Sequence, residues 1–265
     1  MGILLNRLLI MLNDSDTKST EYHIAFTLLM NFYYLSNMSI NEVAELCNVS
    51  KSTISKFIRH IDFEDYASFK SAATFKENKY GFTLNYNQNI AEYIEEKGMD
   101  TYLEIIHKDI EDCRNSIDMD KIDELAKDLI KYKKVASFGL LFSEIAALDL
   151  QTKLAYNGKF IITNLNDVKQ DEFIHNAKED TLIIIFSNSG SYMKRYQLSE
   201  FQDTKNFCGT RAKIVLITSN KEMETFKNVD LCISFNHVTN VQTHSIIFQI
   251  INDYITLKYR KFTRK

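Results

Sequence analysis

The sequence predicts an all-α N-terminal region followed by an α/β domain, in which a five-stranded parallel sheet is flanked by helices. Over residues 1–77, apolar side chains recur at helical spacing, as at Ile24, Leu28 and Phe32. From residue 134 onward the pattern changes to short apolar runs, separated by segments that are mostly long enough for a helix. Strands that alternate with helices are typical of βαβ units and a parallel sheet.

Each predicted strand is a short apolar run. The five runs are KVASFG (134–139), KFIIT (159–163), TLIIIF (181–186), AKIVLIT (212–218) and DLCISF (230–235). A parallel sheet has both faces covered by helices, so continuous apolar runs are expected in place of alternation. Helical spacing also predicts helices over about 89–116 and 120–132, and a final helix over about 240–260.

A break in the helical pattern divides the chain. Residues 78–88 (NKYGFTLNYNQ) carry Gly81 and three Asn, which favour turns and loops. We therefore expect a helical domain at 1–77, a linker and connecting helix at 78–116, and the α/β domain at 117–265.

Composition excludes several classes of protein. The four cysteines lie far apart without a C-x-x-C pair, so we expect neither a disulfide framework nor a metal site, and no cofactor is indicated. No apolar run approaches the roughly 18 residues that span a bilayer. The apolar run near the start, LLIML, is shorter than the signal-peptide core of about 7–15 residues. We expect a cytoplasmic chain with no membrane partner.

The stretch 39–60 (SINEVAELCNVSKSTISKFIRH) has the spacing of a helix-turn-helix. Ser39 and Ser50 are suited to cap two short helices. Asn48 lies in the turn between them, where its type tolerates the left-handed conformation. Apolar residues form one seam across both helices, at Ile40, Val43, Ala44, Cys47, Ile54, Phe57 and Ile58.

The opposite face of the second helix carries cations and hydroxyls. These candidate DNA-binding residues are Ser50, Lys51, Ser52, Ser55, Lys56 and Arg59. Cations suit phosphates and guanine edges, and short hydroxyls let a helix lie deep in a groove. The alternative is a helical bundle with an ordinary polar face, or a module that binds another protein. Residues 1–77 hold seven Lys and Arg against nine Asp and Glu, so a dimer would be needed to gather enough phosphate contacts.

Two predicted strand ends are rich in groups that could bind an oxyanion. Gly139 and Ser143 follow the first strand, and Ser187, Ser189, Gly190 and Ser191 follow the strand at 181–186. In open parallel sheets, ligands bind beyond the carboxyl ends of the strands, where hydroxyls and backbone N–H groups suit a phosphate. Ordinary turn and capping chemistry is the alternative.

An aldose–ketose isomerase is the competing interpretation, because that reaction needs a base near a sugar proton. The candidates are Glu144, His237 and His244, but no convergent acid–base pair is evident and we predict no catalytic residue. The chain also has neither a G-x-S-x-G nucleophile motif nor the glycine spacing of a dinucleotide site.

Taken together, the stretch VAELCNVSKSTISKFIRHIDFEDYASFK, the FGxxxS motif at 138–143 and the SNSG motif at 187–190 resemble RpiR-type transcriptional regulators. Such regulators join an N-terminal helix-turn-helix to a sugar isomerase (SIS) domain. The resemblance implies a homodimeric or tetrameric regulator of carbohydrate metabolism that binds double-stranded operator DNA. Its effector would be a phosphorylated sugar or amino sugar, contacted by Ser143, Ser187 and Ser189.

The chain departs from the family pattern at two positions of the effector site. Leu141 stands where the family has the second Gly of FGxGxS, and Tyr192 stands where it has a Thr or Ser. Leu141 adds bulk where the backbone would approach a ligand, and Tyr192 replaces a small phosphate donor. Ser191, one residue earlier, substitutes for that donor only in part.

Overall fold

The computed structural model describes residues 3–73, 86–194, 205, 207, 209–237, 239 and 241–264. The described residues form two compact units, one through residue 73 and the other from Tyr86 onward. Residues 78–85, which include Gly81 and most of the predicted linker stretch, lie outside the described residues.

The first unit is helical. Its elements are α1 (Ile3–Asp14), α2 (Thr20–Met30), a 3-10 segment (Phe32–Asn37), α3 (Ile40–Leu46), α4 (Lys51–His60) and α5 (Tyr66–Ala72). The predicted apolar face is confirmed, since Ile24, Leu28 and Phe32 are all buried in one core with Leu4 and Leu8. Burial of this stripe, more than helix propensity, stabilises helices as short as these.

The local signals at the helix-turn-helix act as the sequence predicts. Ser39 caps α3 in a capping box with Glu42, and the Ser50 hydroxyl accepts a hydrogen bond from the Thr53 N–H at 3.1 Å to cap α4. Asn48 has a φ of 51°, the left-handed conformation that Asn tolerates better than most side chains. Ala44 is buried in the core where α3 and α4 pack.

The second unit is a parallel sheet covered by helices. Its helices are α6 (Tyr86–Lys97), α7 (Met99–Ser116), α8 (Met119–Lys131), α9 (Phe142–Ala155), α10 (Asp167–Asn176), α11 (Ser191–Lys194) and α12 (His244–Thr263). Its strands, in spatial order, are β1 (Lys134–Phe138), β2 (Thr181–Phe186), β3 (Lys213–Thr218) and β4 (Leu231–Ser234). All three strand pairs are parallel, so the strands' carboxyl ends lie along one edge.

The prediction of five strands is wrong for the part of the chain that the structure describes, where the sheet has four. The KFIIT run (159–163) forms a single bridge between Ile162 and Ala136. Phe160 and Ile162 are largely exposed, so the run is apolar without being buried. The Gln151 side chain also donates to the Ile161 carbonyl at 2.8 Å, which takes up a backbone acceptor of this run.

The predicted helix over 89–116 is two helices. Gly98, with a φ of 87°, separates α6 from α7, and a non-glycine residue would be strained in that conformation. No helix among the described residues is both long and apolar enough to cross a membrane.

Candidate functional site

The cations predicted to contact DNA lie together on the exposed face of α4. Lys51, Lys56 and Arg59 are exposed, as are Ser50 and Ser52. The opposite face is fixed in the core by Ile54, Phe57 and Ile58. Residues 51–60 contain no acidic side chain, so α4 presents a locally positive surface despite the acidic balance of the whole domain.

The hydroxyls of α4 are partly engaged within the helix. Ser50 caps α4 and lies 2.7 Å from the Ser52 hydroxyl, while Ser55 donates to the Lys51 carbonyl at 3.1 Å. These contacts hold the first turn of α4 in a fixed geometry. The cations, whose long side chains extend further, are therefore better placed than the hydroxyls to reach a phosphate.

A further cation of the first unit, Arg7, is structural. Its guanidinium is buried, donates to the Ile61 and Asp62 carbonyls at 3.1 and 2.8 Å, and lies 4.9 Å from the Phe63 ring centroid. It thus binds carbonyl groups just beyond the C-terminus of α4, as cations commonly do. Nothing in the sequence pattern indicated this role.

In the second unit, the two predicted effector loops are neighbours. Phe138 pairs with Ile185 at the ends of β1 and β2, so Gly139 and Ser187 leave the sheet side by side. A Cβ at Gly139 would collide with the Ser143 carbonyl oxygen, which explains the glycine. Ser143 is buried in the first turn of α9.

The loop after β2 is tightly hydrogen-bonded. The Ser187 hydroxyl is buried and accepts from the Tyr192 N–H at 3.2 Å, while the exposed Ser189 lies 2.6 Å from the Ser191 hydroxyl. Gly190 has a φ of 73°, and a Cβ there would also meet Met223. The structure therefore brings all six predicted effector residues to two adjacent strand ends, with Ser189 at the surface.

The third strand end, which could have offered a hydroxyl to a ligand, supports the loop. The Thr218 and Ser219 hydroxyls both donate to the Asn188 carbonyl at 2.9 Å. They fix the loop from behind.

Leu141 keeps a backbone conformation that favours glycine. Its φ and ψ are 58° and −119°, at the residue just before α9. A side chain in that region costs about 1–3 kcal/mol. We predict that Leu141→Gly raises the free energy of unfolding of the second unit by about 1 kcal/mol, because relief of this strain outweighs the partial burial of the side chain. Urea unfolding checks this, and a loss of stability would contradict it. Leu140→Gly, at a neighbouring buried residue with ordinary φ, is the control that should destabilise.

Tyr192 points inward, not toward the loop surface. The side chain is 1 % exposed, and its hydroxyl donates to the Gln170 amide oxygen at 2.8 Å. Gln170, itself fully buried, donates to the Gly139 carbonyl at 2.9 Å and to the Asn164 carbonyl at 2.6 Å. Burial raises the pKa of Tyr192 well above its usual value, so the phenol stays neutral. The sequence identified Tyr192 as unusual but not its partner.

A buried ion pair lies against the Tyr192 ring. The Lys205 ammonium is 3.6 Å from the ring centroid and 2.5 Å from the Asp171 carboxylate. Burial lowers the pKa of Lys205 and raises that of Asp171, and in each case the partner's charge opposes the shift. Removal of one member would strand a buried charge.

The isomerase candidates occupy buried positions with shifted pKa values. Burial raises the pKa of Glu144 to about 7 and lowers the pKa of His244 to about 4. Burial also lowers the pKa of His237, whose Nε2 lies 2.9 Å from the Thr243 hydroxyl. A perturbed pKa is common at active sites but also arises in structural networks.

The histidines belong to such a network. Asp109 of α7 is fully buried, accepts hydrogen bonds from the Thr239 and Thr243 hydroxyls, and lies 3.6 Å from His237 Nε2. The His237 and His244 rings meet edge to face with centroids 6.0 Å apart. This network ties the loop before α12 to α7, a structural role for His237.

A separate cavity of about 310 Å³ lies between α9 and α12. Its lining includes Lys153, Tyr156, Asp253, Leu257 and Arg260, none of which is a predicted effector residue. Lys153 is already paired with Asp149 and Asp253 at 2.8 and 2.7 Å. The charges of this cavity are therefore largely satisfied within the protein.

Comparison with known proteins identifies the first unit. Residues 5–78 match the helix-turn-helix domain of the rpiR family. An uncharacterized HTH-type transcriptional regulator from Providencia stuartii is 23 % identical over 275 residues, which covers 100 % of this chain and 93 % of that protein. A second such regulator, from Haemophilus influenzae, is 29 % identical over 150 residues, or 54 % of this chain and 50 % of that protein. The resemblance inferred from the sequence motifs is thereby confirmed.

Two solved structures share the fold. Vibrio vulnificus NanR, complexed with ManNAc-6P, has a TM-score of 0.50 at 15 % identity, and the match covers 98 % of this chain and 92 % of that one. A protein of Escherichia coli CFT073, in complex with a phosphosugar, has a TM-score of 0.50 at 17 % identity, with 67 % and 93 % covered. At these identities the likeness concerns the fold.

Proposed function

We propose that this chain, whose residues 5–78 are a helix-turn-helix domain of the rpiR family, is a DNA-binding transcriptional regulator that senses a phosphorylated sugar or amino sugar. The observation that carries the proposal is α4. It presents Lys51, Lys56 and Arg59 to solvent on a helix whose other face is fixed in a packed core. That is the arrangement by which a recognition helix enters the major groove.

The α/β domain (117–265) supplies the sensor in this proposal. Two hydroxyl-rich loops leave neighbouring parallel strands, where open sheets bind ligands. Proteins with a similar fold have been solved with ManNAc-6P and with another phosphosugar, which supports an SIS-type domain and a sugar phosphate as ligand. The residues proposed to contact it are Gly139, Ser143, Ser187, Ser189, Gly190 and Ser191.

The chain is proposed to act as a homodimer or tetramer in the cytoplasm, where operator DNA lies. Its DNA-binding domain (1–77) carries few cations, so two copies on a palindromic operator would gather enough phosphate contacts. An effector changes the DNA affinity only as far as it prefers one arrangement of the protein. The segment 78–116 joins the two domains in this proposal.

An isomerase is the second candidate, favoured by Glu144, whose pKa of about 7 suits a general base at neutral pH. Against it, His237 is held by Asp109 and Thr243, and the curated relatives are transcriptional regulators. We therefore propose that the chain does not catalyse a reaction. Turnover of ribose or hexosamine phosphates by the purified protein would reverse this assignment.

A gel-shift experiment with the protein's own upstream DNA tests the function. We expect a shift at low salt, and we expect one member of a panel of sugar phosphates to change the fraction bound. Absence of any shift would contradict the regulator. A shift that is indifferent to every sugar phosphate would retain DNA binding and remove the effector.

A further inference from the structure

We infer that Tyr192 and Gln170 limit the size of the effector by filling the inner part of the crevice between the ends of β1 and β2. This inference rests on the proposed sugar-phosphate sensing and specifies its ligand. It assigns a specificity-determining role to Gln170, a residue of α10 outside the two predicted effector loops.

The two side chains connect one effector loop to the other. Tyr192 starts from the β2 loop, where its N–H donates to the Ser187 hydroxyl at 3.2 Å. Its phenol reaches Gln170 at 2.8 Å, and the Gln170 amide reaches the Gly139 carbonyl at 2.9 Å, behind the β1 loop. Because β1 and β2 are adjacent, this chain of contacts spans the space between their carboxyl ends.

This space is closed to solvent. Tyr192 is 1 % exposed and Gln170 is 0 % exposed, so no room for water remains around either side chain. The Gly139 and Asn164 carbonyls both accept from the Gln170 amide. A ligand that entered here would displace a ring and break hydrogen bonds that leave buried groups unpaired, at a cost of about 1–3 kcal/mol for each group.

The Tyr192 ring is also held from its face. The Lys205 ammonium lies 3.6 Å from the ring centroid, is only 8 % exposed and pairs with Asp171 at 2.5 Å. A cation so placed attracts the ring, more strongly where water is excluded. The ring is thus fixed at its hydroxyl, its backbone and its face, and does not behave as a mobile cover.

The groups left for a ligand lie at the rim. Ser189 is exposed and Ser191 is partly exposed, and their hydroxyls lie together at 2.6 Å. A Thr or Ser at position 192 would leave the volume of an aromatic ring open behind them. With Tyr192 in place, the crevice accommodates a phosphate and a short sugar, and excludes the bulk of an N-acetylated hexosamine.

Calorimetric titration of the full-length protein with two probes tests this inference. The probes are arabinose 5-phosphate and N-acetylmannosamine 6-phosphate. The wild type should prefer the smaller probe by at least about tenfold, and Tyr192→Thr should reduce that preference at least about tenfold by gaining affinity for the larger one. Tyr192→Phe, which keeps the ring and loses the hydroxyl, should leave the preference within about twofold.

Gln170→Ala opens the same space from the other side and should change the preference as Tyr192→Thr does, which keeps the test valid if the latter does not fold. A folded variant of either kind with an unchanged preference would overturn the inference, as would a wild type that binds both probes equally. If sugar phosphates still alter the gel shift in that case, the proposed function stands alone. Failure of both probes to bind any variant would overturn the inference and the sensing role together.

Discussion

Simultaneous replacement of Lys51, Lys56 and Arg59 by Ala should lower operator affinity at least about 100-fold, since single contacts of this kind contribute about 1–3 kcal/mol. All three side chains are exposed on one face of α4, and no acid lies within residues 51–60 to offset them. In a dimer each substitution removes two cations. The loss should be visible as a gel shift that requires far more protein.

The same variant should bind with a weaker salt dependence. Each phosphate contact that is lost lowers the slope of log affinity against log salt by about 0.9. Its thermal unfolding should match that of the wild type, because the buried face of α4 is unchanged. Lys18→Ala, at an exposed cation outside α4, is the matched control and should bind normally. Affinity within about threefold of the wild type would exclude α4 as the recognition helix.

The helix-turn-helix could be predicted because its determinants are local. Ser39 and Ser50 cap helices through bonds that span three residues, and Asn48 adopts its left-handed conformation within a single turn. Hydrogen-bonding capacity and backbone preference are properties of the residue type, so the printed sequence contains them. The strand ends beyond β1 and β2 were predictable for a similar reason, since a buried apolar run that stops at Gly or Ser marks its own end.

The contacts that the sequence did not reveal join residues far apart in the chain. Tyr192 meets Gln170 across 22 positions, and Arg7 reaches the carbonyl of Ile61 across 54. Thr243 meets Asp109 across 134. Local propensity carries no information on such pairs, because they depend on how the helices pack. The prediction for the KFIIT run was wrong for the complementary reason, since its composition favours a strand but its exposed edge position permits only one bridge.

This distinction bears on the effector site. The hydroxyls that the motif predicts are present at the rim, whereas the interior of the crevice is occupied by a pair that only the fold brings together. A family motif can therefore be present while the ligand that it admits is different. The departure at Tyr192 is accommodated by Gln170, and the departure at Leu141 by a backbone that keeps the conformation of glycine.

Glu144→Gln should stabilise the second unit by up to about 3 kcal/mol at pH 8 and have little effect at pH 4. Burial raises the pKa of Glu144 from 4.5 to about 7. Between those values the folded state keeps a proton that the unfolded state has lost, so the contribution of Glu144 to stability falls as the pH rises and is lowest above pH 7. Gln keeps the neutral, hydrogen-bonding shape and removes that dependence.

His244 produces the opposite slope. Its pKa is lowered from 6.5 to about 4, so the unfolded state binds a proton that the folded state refuses, and the contribution of His244 falls as the pH falls from 6.5 to 4. The two slopes oppose each other over pH 4.5–6.5 in the wild type. In Glu144→Gln the His244 slope is unopposed, so stability should decline more steeply toward acid.

Urea unfolding at pH 4, 6 and 8, followed by circular dichroism, measures both effects. Glu222→Gln, at an exposed carboxylate of the same unit, serves as the control and should show no comparable gain at pH 8. An equal change in unfolding free energy at pH 4 and pH 8 for Glu144→Gln would contradict the assignment. In that case the buried carboxyl would already be ionised in the folded protein near pH 4, and its suitability as a general base at neutral pH, on which the isomerase alternative depends, would be lost with it.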